Sequence, residues 1–566
     1  MMCGSSITMF MKICKQCQAQ FEIVARDMDF YREMEVPEPF LCPFCRMIRR
    51  LSYRKERFLY NRVCDMSGKQ VISAYASEPA LNRKFPKFPI YENDEWWSDK
   101  WDARNFGRDF DFKKPFFEQF FALQSEVPRL ALIQQKPMEN SVYCNAASRC
   151  KNCYLIFSAN QNEDCYYGSW INYCRNCIDN LNIGDCELCY ECVYSRNCYH
   201  CFFVQESKNC SDCYFVKNCI GCKDCFMSVN LVQKQYYIFN KPYSRDEYFK
   251  KLKQFDLGSR KIVQDLKQQF KKICGESIVK YYVGVSNENS TGNYINNTKN
   301  CFGCFELDDC EDAVYSMNLN KAKSVMDYSH WGEKAERIYE CQACGYDIFN
   351  LKFCNLCWTG CSDLEYSDNC FSSHHCFGCV GLKKSSYCIF NKQYSKEEYE
   401  ELVSRIREHM RRTGEYGQFF PEVYSPFGYN ESLAYEQLAL SKEEVLARGW
   451  QWQERIQEHD SRGLQVTVPD HIRDVPDNIT EKILTCAASG QHYKIIPQEL
   501  KFYRAQGLAI PDRCPDQRHF DRLALRNPRR IYSRECAKCS TSIETTYATG
   551  RPEKVYCEDC YLKAVC

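Results

Sequence analysis

No run of about 18 apolar residues occurs in this sequence, so nothing in it reads as a bilayer-spanning helix. It has no excess of either charge, with 75 Lys and Arg against 74 Asp and Glu. Attraction to nucleic acid or a membrane surface must therefore come from local patches. It has no Gly-rich phosphate loop, no GxSxG and no HExxH. Histidine is scarce, at nine in 566 residues, and His374-His375 lies between Cys370 and Cys376, where extra ligation and proton transfer are both open. No catalytic constellation and no small-molecule site emerges. The opening stretch MMCGSSITMFMKICKQC is not patterned as a secretory signal, and Met11 is a possible start because the patterned sequence begins at Lys12.

Cysteine is what the chain has in excess. With 42 of them and no export pattern, a reducing cytoplasm is the expected home. There, thiols at Cys-x-x-Cys spacing read as metal ligands before disulfides. Aromatics at 15% argue against disorder.

The two ends of the chain carry the same module. Ile13–Ala76 aligns with Thr485–Ala548 without a gap at a constant offset of 472, so that Cys14 falls on Cys486, Cys42 on Cys514 and Cys64 on Cys536. Phe30-Tyr31-Arg32 likewise matches Phe502-Tyr503-Arg504. Superimposed, the copies give two four-cysteine sites per ideal module. The N-terminal copy keeps the first, Cys14, Cys17, Cys42 and Cys45. Its second has decayed to Cys64 and Ser67, with Glu92–Glu95 as the nearest stand-in after a short insertion. The C-terminal copy reverses this. Ser489 and Gln517 replace the partners of Cys486 and Cys514, while Cys536, Cys539, Cys557 and Cys560 are complete. Two Cys-x-x-Cys pairs can place four thiolates tetrahedrally around Zn²⁺ in a closed, structural shell, and such a metal supplies folding free energy to a small module.

Arg46, Arg50 and Arg54 are spaced i, i+4, i+8, as are Arg518, Arg522 and Arg526 in the other copy. On a helix each set shares one face. Such a stripe suits phosphates, hence a nucleic-acid contact, or it is a face that pairs with Asp and Glu elsewhere. The pattern of Cys-x-x-Cys, Phe-Tyr, Pro and CPxCR resembles the treble-clef zinc-ribbon domains found in many bacterial proteins. Through WWSDKWDARNFGRDFDF, YYIFNKPYSRDEY and KIIPQELKFYR, the whole layout is similar to a family of long, cysteine-rich proteins of candidate-phyla bacteria. That resemblance implies zinc and no reaction.

Between the modules lies a ladder. Cys153, Cys165, Cys177, Cys189, Cys201, Cys213 and Cys225 recur at every twelfth position, and three residues before each stand Cys150, Asn162, Cys174, Cys186, Cys198, Cys210 and Cys222. An aromatic residue or Ile follows each member of the first set, from Tyr154 to Phe226. Fixed repetition predicts a solenoid. A unit this short fits one coil of a narrow β-solenoid or half a coil of a wider one, with KN, RN, KD and SD at turns. Cys174, Cys177, Cys186 and Cys189, and Cys198, Cys201, Cys210 and Cys213, are the best ladder quartets for zinc. A reduced thiol column, disulfides and iron–sulfur clusters stay open beside that reading.

The second Cys-rich region, Asn287–Cys388, is irregular in spacing: the step from Cys344 to Cys357 differs from that between Cys357 and Cys379, and neither matches the ladder period. It nevertheless closes like the first: Tyr237–Tyr248 matches Cys388–Tyr399 at an offset of 151. Ser244-x-x-Glu247 and Ser395-x-x-Glu398 are capping boxes for helices that would cover the open solenoid ends.

The expected chain is multidomain and β-rich. It comprises a zinc module (1–100), a helical connector (101–136), the Cys-repeat solenoid (137–243), capping helices (244–275), a second, degenerate Cys-rich repeat region (276–394), a helix and linker (395–480) and the C-terminal zinc module (481–566). Function divides between a non-enzymatic zinc scaffold that contacts nucleic acid, an RNA–protein complex or a protein, and a thiol-based redox or metal-handling protein.

Overall fold

The computed structural model describes residues 10–77, 87–454 and 466–565. Residues 455–465 of the expected linker, and residues 1–9, 78–86 and 566 of the expected terminal modules, lie outside the described residues.

The ladder is a β-solenoid in which one sequence repeat makes one full coil, the narrower of the two expected forms. Parallel bridges join Tyr154 to Tyr166, Tyr166 to Ile178, Ile178 to Tyr190 and Tyr190 to Phe202, and the Tyr154 N–H donates to the Cys165 carbonyl at 3.1 Å, a bond repeated coil after coil. Every third side chain points inward and is buried. Cys150, Cys153, Ile156 and Ala159 fill one coil, and Cys174, Cys177, Asn180 and Ile183 fill another. The residue before each inward position has left-handed backbone: φ is 52° at Arg149, 53° at Asn152, 51° at Leu155 and 48° at Ser158. The coil is therefore four-sided, with three residues to a side. Asn and Asp bear that conformation best, and the KN, RN, KD and SD dipeptides put Asn152, Asn176, Asp224 and Asp212 there.

So tight a coil favours small inward side chains. Cysteine suits it as a small apolar residue with a weak donor. Cys177 lies 3.2 Å from the Arg175 carbonyl and 3.5 Å from that of Cys186, and Cys189 lies 3.4 Å from Glu187 O and 3.5 Å from Cys198 O. Some larger residues need compensation. A Cβ on Gly168 would meet Ile171 Cδ1 at 2.6 Å, so the glycine leaves the space that Ile171 occupies.

The second region is a solenoid of the same kind. About half of its coils keep the ladder period, but one is a residue shorter (Gly284 to Ile295) and several are a residue longer (Val325 to Ile338, Tyr339 to Lys352, Asn355 to Asp368). The irregular spacing of its cysteines follows from these unequal coils. Single extra residues shift the register, and Cys357 and Cys379 belong to different inward columns. The expected capping helices form at Arg245–Leu252 and Lys396–Thr413, each with its capping box, and a further helix spans Arg260–Glu276.

The chain forms two compact units. One gathers residues 1–132, 282–454 and 529–531, and the other gathers residues 133–281, 455–528 and 532–566. Each unit thus pairs a terminal module with the solenoid remote from it in sequence. In the second unit the residues after the ladder cysteines face outward. There Ile178, Tyr190, Phe202 and Phe226 share a core with Leu266 and Phe270 of the long helix and with Tyr503, Leu508 and Ile510 of the C-terminal module.

Gly168→Ala should lower stability by about 1–2 kcal/mol through overpacking, read as a shift in urea midpoint. Ile171→Val in the same chain should recover most of that loss. A double variant no better than the single one would refute the packing account.

Candidate metal centres

Each terminal module is built twice from a hairpin turn followed by a helix start. Cys14, Cys64, Cys486 and Cys536 open four such turns, in which the N–H of Gln18, Gly68, Gly490 or Ser540 returns to the cysteine carbonyl at 2.9–3.0 Å. Those four closing residues are left-handed, with φ of 60°, 72°, 70° and 61°. A backbone N–H at the following helix start then reaches the first sulfur. Cys42 donates to Cys14 Sγ, Glu92 to Cys64 Sγ and Cys557 to Cys536 Sγ, each at 3.3 Å. Glu92 therefore stands where Cys557 stands in the other copy. The predicted Glu92–Glu95 stand-in is structurally equivalent to Cys557–Cys560, after a span of 28 residues instead of 21.

Among the described residues, two groups of His, Cys, Asp or Glu ligand atoms lie mutually within 4.8 Å. They are Cys14, Cys17, Cys42 and Cys45, and Cys536, Cys539, Cys557 and Cys560. Either can hold a metal ion. Cys17 Sγ is 3.7 Å from Cys42 Sγ, and Cys539 Sγ is 3.7 Å from Cys557 Sγ. The first group is buried except for Cys17. The second is more open, with Cys539 exposed and Cys557 and Cys560 half-buried. The thiols of each group titrate unevenly: Cys42, Cys536 and Cys539 are lowered, while Cys17, Cys45, Cys557 and Cys560 are raised. A hydrogen bond from Cys45 is the main cause bringing Cys42 down to about 5. Burial raises Cys536, but the N–H groups of Cys557, Cys539 and Lys538 outweigh it and leave the thiol at about 6.

The two decayed sites keep the frame with a different chemistry. Ser489 Oγ lies 3.7 Å from Cys514 Sγ, the edge length found in the intact sites. In each decayed site burial raises the first thiol and a serine hydroxyl, Ser67 or Ser489, leads the groups that lower it. The left-handed turn residue is Gly68 or Gly490 in these two sites and Gln18 or Ser540 in the intact pair. Glycine removes the left-handed penalty where no four-sulfur site braces the turn.

The ladder quartets do not close. Neither Cys174, Cys177, Cys186 and Cys189 nor Cys198, Cys201, Cys210 and Cys213 forms a mutually close group among the described residues. Stacked parallel strands hold sulfurs about 4.8 Å apart, and the ladder thiols lie within hydrogen-bond reach of carbonyls. Cys-x-x-Cys here records the three-residue side of a coil. All described cysteines are free thiols.

The arginine stripes turn inward. Arg46 donates to Asp327 at 2.7 Å, and Arg50 donates to Asp327 at 2.9 Å and to Ser329 Oγ at 3.1 Å. In the other unit Arg518 pairs with Asp179 (2.5 Å) and Glu499 (2.9 Å), and Arg522 pairs with Asp179 (2.8 Å). Arg54 is buried against Glu56, and Arg526 is half-buried. Of the six arginines read as possible nucleic-acid contacts, five are therefore buried and face carboxylates. The helices Pro43–Ser52 and Pro515–Leu523 use the stripe to seat each module on a solenoid.

The two seats match contact for contact. Tyr315 donates to Asp27 at 3.1 Å and Tyr167 to Glu499 at 3.0 Å. Tyr31 meets Tyr339 at 5.4 Å between ring centroids, and Tyr503 meets Tyr190 at 5.5 Å. The receiving carboxylates, Asp27, Asp179, Asp327 and Glu499, were not predicted. Asp27 and Glu499 fall on one another at the offset of 472, the one signal of them in the sequence.

No family model and no curated protein matches this chain. Among solved structures it is similar to a protein assigned as an acetyltransferase from Desulfovibrio desulfuricans G20. That match has 9% identity over 45% of this chain and 67% of that chain, with a TM-score of 0.10, and so slight a likeness carries no argument. Among the described residues no helix is long and apolar enough to cross a membrane.

Arg50→Ala should cost about 3–5 kcal/mol, because it strands buried carboxylates, and should leave retention on a single-stranded DNA column unchanged. Loss of retention without loss of stability would reverse the assignment. Ser489→Cys with Gln517→Cys should complete a third four-cysteine site. Native mass spectrometry should then find one metal ion more than in the parent chain, and an unchanged count would show that the frame is not preserved.

Proposed function

We propose that this protein is a non-enzymatic zinc scaffold, in which two structural zinc ions pin the terminal modules and the modules clamp the two solenoids. The observation that carries the reading is the sulfur spacing. A Zn–S bond of about 2.3 Å in a tetrahedron sets sulfurs about 3.8 Å apart, and each terminal cluster presents an edge of 3.7 Å. A hairpin turn supplying one ligand pair, followed by a helix start supplying the other, is the arrangement of a treble clef. Each quartet stands alone as a closed four-thiolate shell, which leaves no position for substrate and suits a structural zinc. Binding there would couple directly to module folding.

The thiol-redox alternative fits less well, since the ladder thiols are buried and bonded to carbonyls while reactive thiols need exposure and a positive field. So many reduced thiols suit a reducing compartment such as the cytoplasm.

Native mass spectrometry under reducing conditions should find two zinc ions per chain. Cys539→Ala with Cys560→Ala should leave one, and Cys177→Ala with Cys189→Ala should leave two. Metal-free folded protein, or loss of zinc from the ladder variant, would overturn the proposal.

A further inference from the structure

Both solenoids end in the same hairpin and helix, but among the described residues only one end is covered by the chain itself. At the second solenoid, residues 102–112 lie along the hairpin formed by Ser386–Ile389 and Lys392–Gln393. The Arg108 N–H donates to the Phe390 carbonyl at 3.1 Å. The Asn391 amide donates to Ala103 O at 3.0 Å. Asp109 accepts from Lys392 Nζ at 2.6 Å and from the Tyr394 hydroxyl at 3.0 Å. Phe110 packs on Phe390 with ring centroids 5.6 Å apart. Gly107 allows the close approach, for a Cβ there would meet Asn391 O and Lys392 Cα at 3.0 Å. Phe390 and Asn391 end up fully enclosed.

The matching surface of the first solenoid stands open. At the offset of 151, Phe239, Asn240, Lys241 and Tyr243 replace Phe390, Asn391, Lys392 and Tyr394. Phe239 is 40% exposed where Phe390 is 0% exposed. Asn240 and Lys241 are exposed as well, and no carboxylate within salt-bridge reach of Lys241 occurs among the described residues. The adjoining helix has also changed sign. Where the second solenoid carries Glu400, Glu401 and Ser404, the first carries Phe249, Lys250 and Lys253, all exposed.

We propose that this end of the first solenoid, the hairpin Gln235–Ile238 and Lys241–Pro242 with the helix Arg245–Leu252, is a docking site for a partner protein's extended segment of the form Gly-x-Asp-Phe. The chain supplies the template in cis at its other solenoid. Glycine gives backbone approach, aspartate meets the Lys–Tyr pair and phenylalanine covers the exposed ring. The lysines in place of glutamates select a segment more acidic than residues 102–112. Main-chain bonds along a sheet edge, with side-chain pockets for selectivity, are a recurrent mode of peptide capture. The site deepens the scaffold reading by naming a class of partner, and its geometry does not depend on metal.

The test uses full-length protein and a fluorescein-labelled peptide of residues 102–112, DARNFGRDFDF, followed by anisotropy. The expected result is saturable 1:1 binding, weakened at least tenfold by Lys241→Glu in the protein or Asp109→Lys in the peptide, and restored when the two are combined. Phe239→Ser should weaken binding too, and Lys241→Glu, at an exposed position, guards against misfolding as the cause. Absence of saturable binding, or a Lys241→Glu protein that binds as well as the parent, would overturn the site. So would a single-stranded oligonucleotide that displaces the peptide and itself depends on Lys241, since that would assign the lysines to nucleic acid. Zinc counted on the same samples separates the two proposals: peptide binding by zinc-free protein sinks the metal scaffold and leaves the docking site standing.

Discussion

A coil with little room for the inward side chain at every third residue is the constraint on which this molecule depends. It makes the left-handed corner obligatory at each side, which favours Asn and Asp there. It also weights the interior toward Cys, Ser, Ala, Val and Asn, and Ile171 fits because Gly168 gives way to it. Cysteine dominates two of the four inward columns because it is small and apolar and its proton finds a carbonyl in its own coil or the next. A serine hydroxyl does the same, as at Ser207 and Ser228, and inward Asn180 bonds backbone on the neighbouring coil. These inward polar groups are therefore satisfied by the solenoid's own backbone.

Two kinds of Cys-x-x-Cys follow, alike in sequence and unlike in chemistry. At the termini the spacing belongs to a turn closed by a left-handed residue, and sulfurs from two segments converge to 3.7 Å. In the ladder the spacing is a lattice repeat, and sulfurs stack at the inter-strand distance. Convergence separates the two cases: among the described residues only the terminal quartets bring four ligand atoms within 4.8 Å of one another. Convergence depends on side-chain direction, which spacing alone does not encode.

The same distinction explains what could be read in advance. Repetition is a property of the sequence itself, so the solenoid, the duplicated modules, the capping helices and both terminal quartets were visible in the spacing of Cys14, Cys536, Ser244 and their partners. What escaped was long-range. The buried role of Arg46 and Arg518 depends on Asp327 and Asp179, hundreds of residues away, and a stripe of arginines looks the same whether phosphate or aspartate awaits it. The second solenoid was obscured for a smaller reason. Coils lengthened by a single residue break a period that the eye follows only while it stays constant.

The duplicated seats also raise the question of how each module finds the correct solenoid, since the Arg–Asp clamp and the tyrosine pair are common to both. Buried ion pairs are weak evidence of net stability, but they discriminate sharply when one partner is wrong. One difference lies at the helix position of Arg49. Arg49 pairs with buried Glu340, whereas its counterpart at the offset of 472, Asp521, pairs with Arg513. Glu191, the counterpart of Glu340, is held instead by Lys267, and its carboxyl lies below the usual range although burial alone would raise it. Exchanging the modules would set Asp521 against Glu340 and leave only Arg522, the counterpart of Arg50, to face that glutamate. It would also bring Arg49 to a glutamate already neutralised by lysine. The clamp is common to both seats, and this reversal of charge is a point at which they differ.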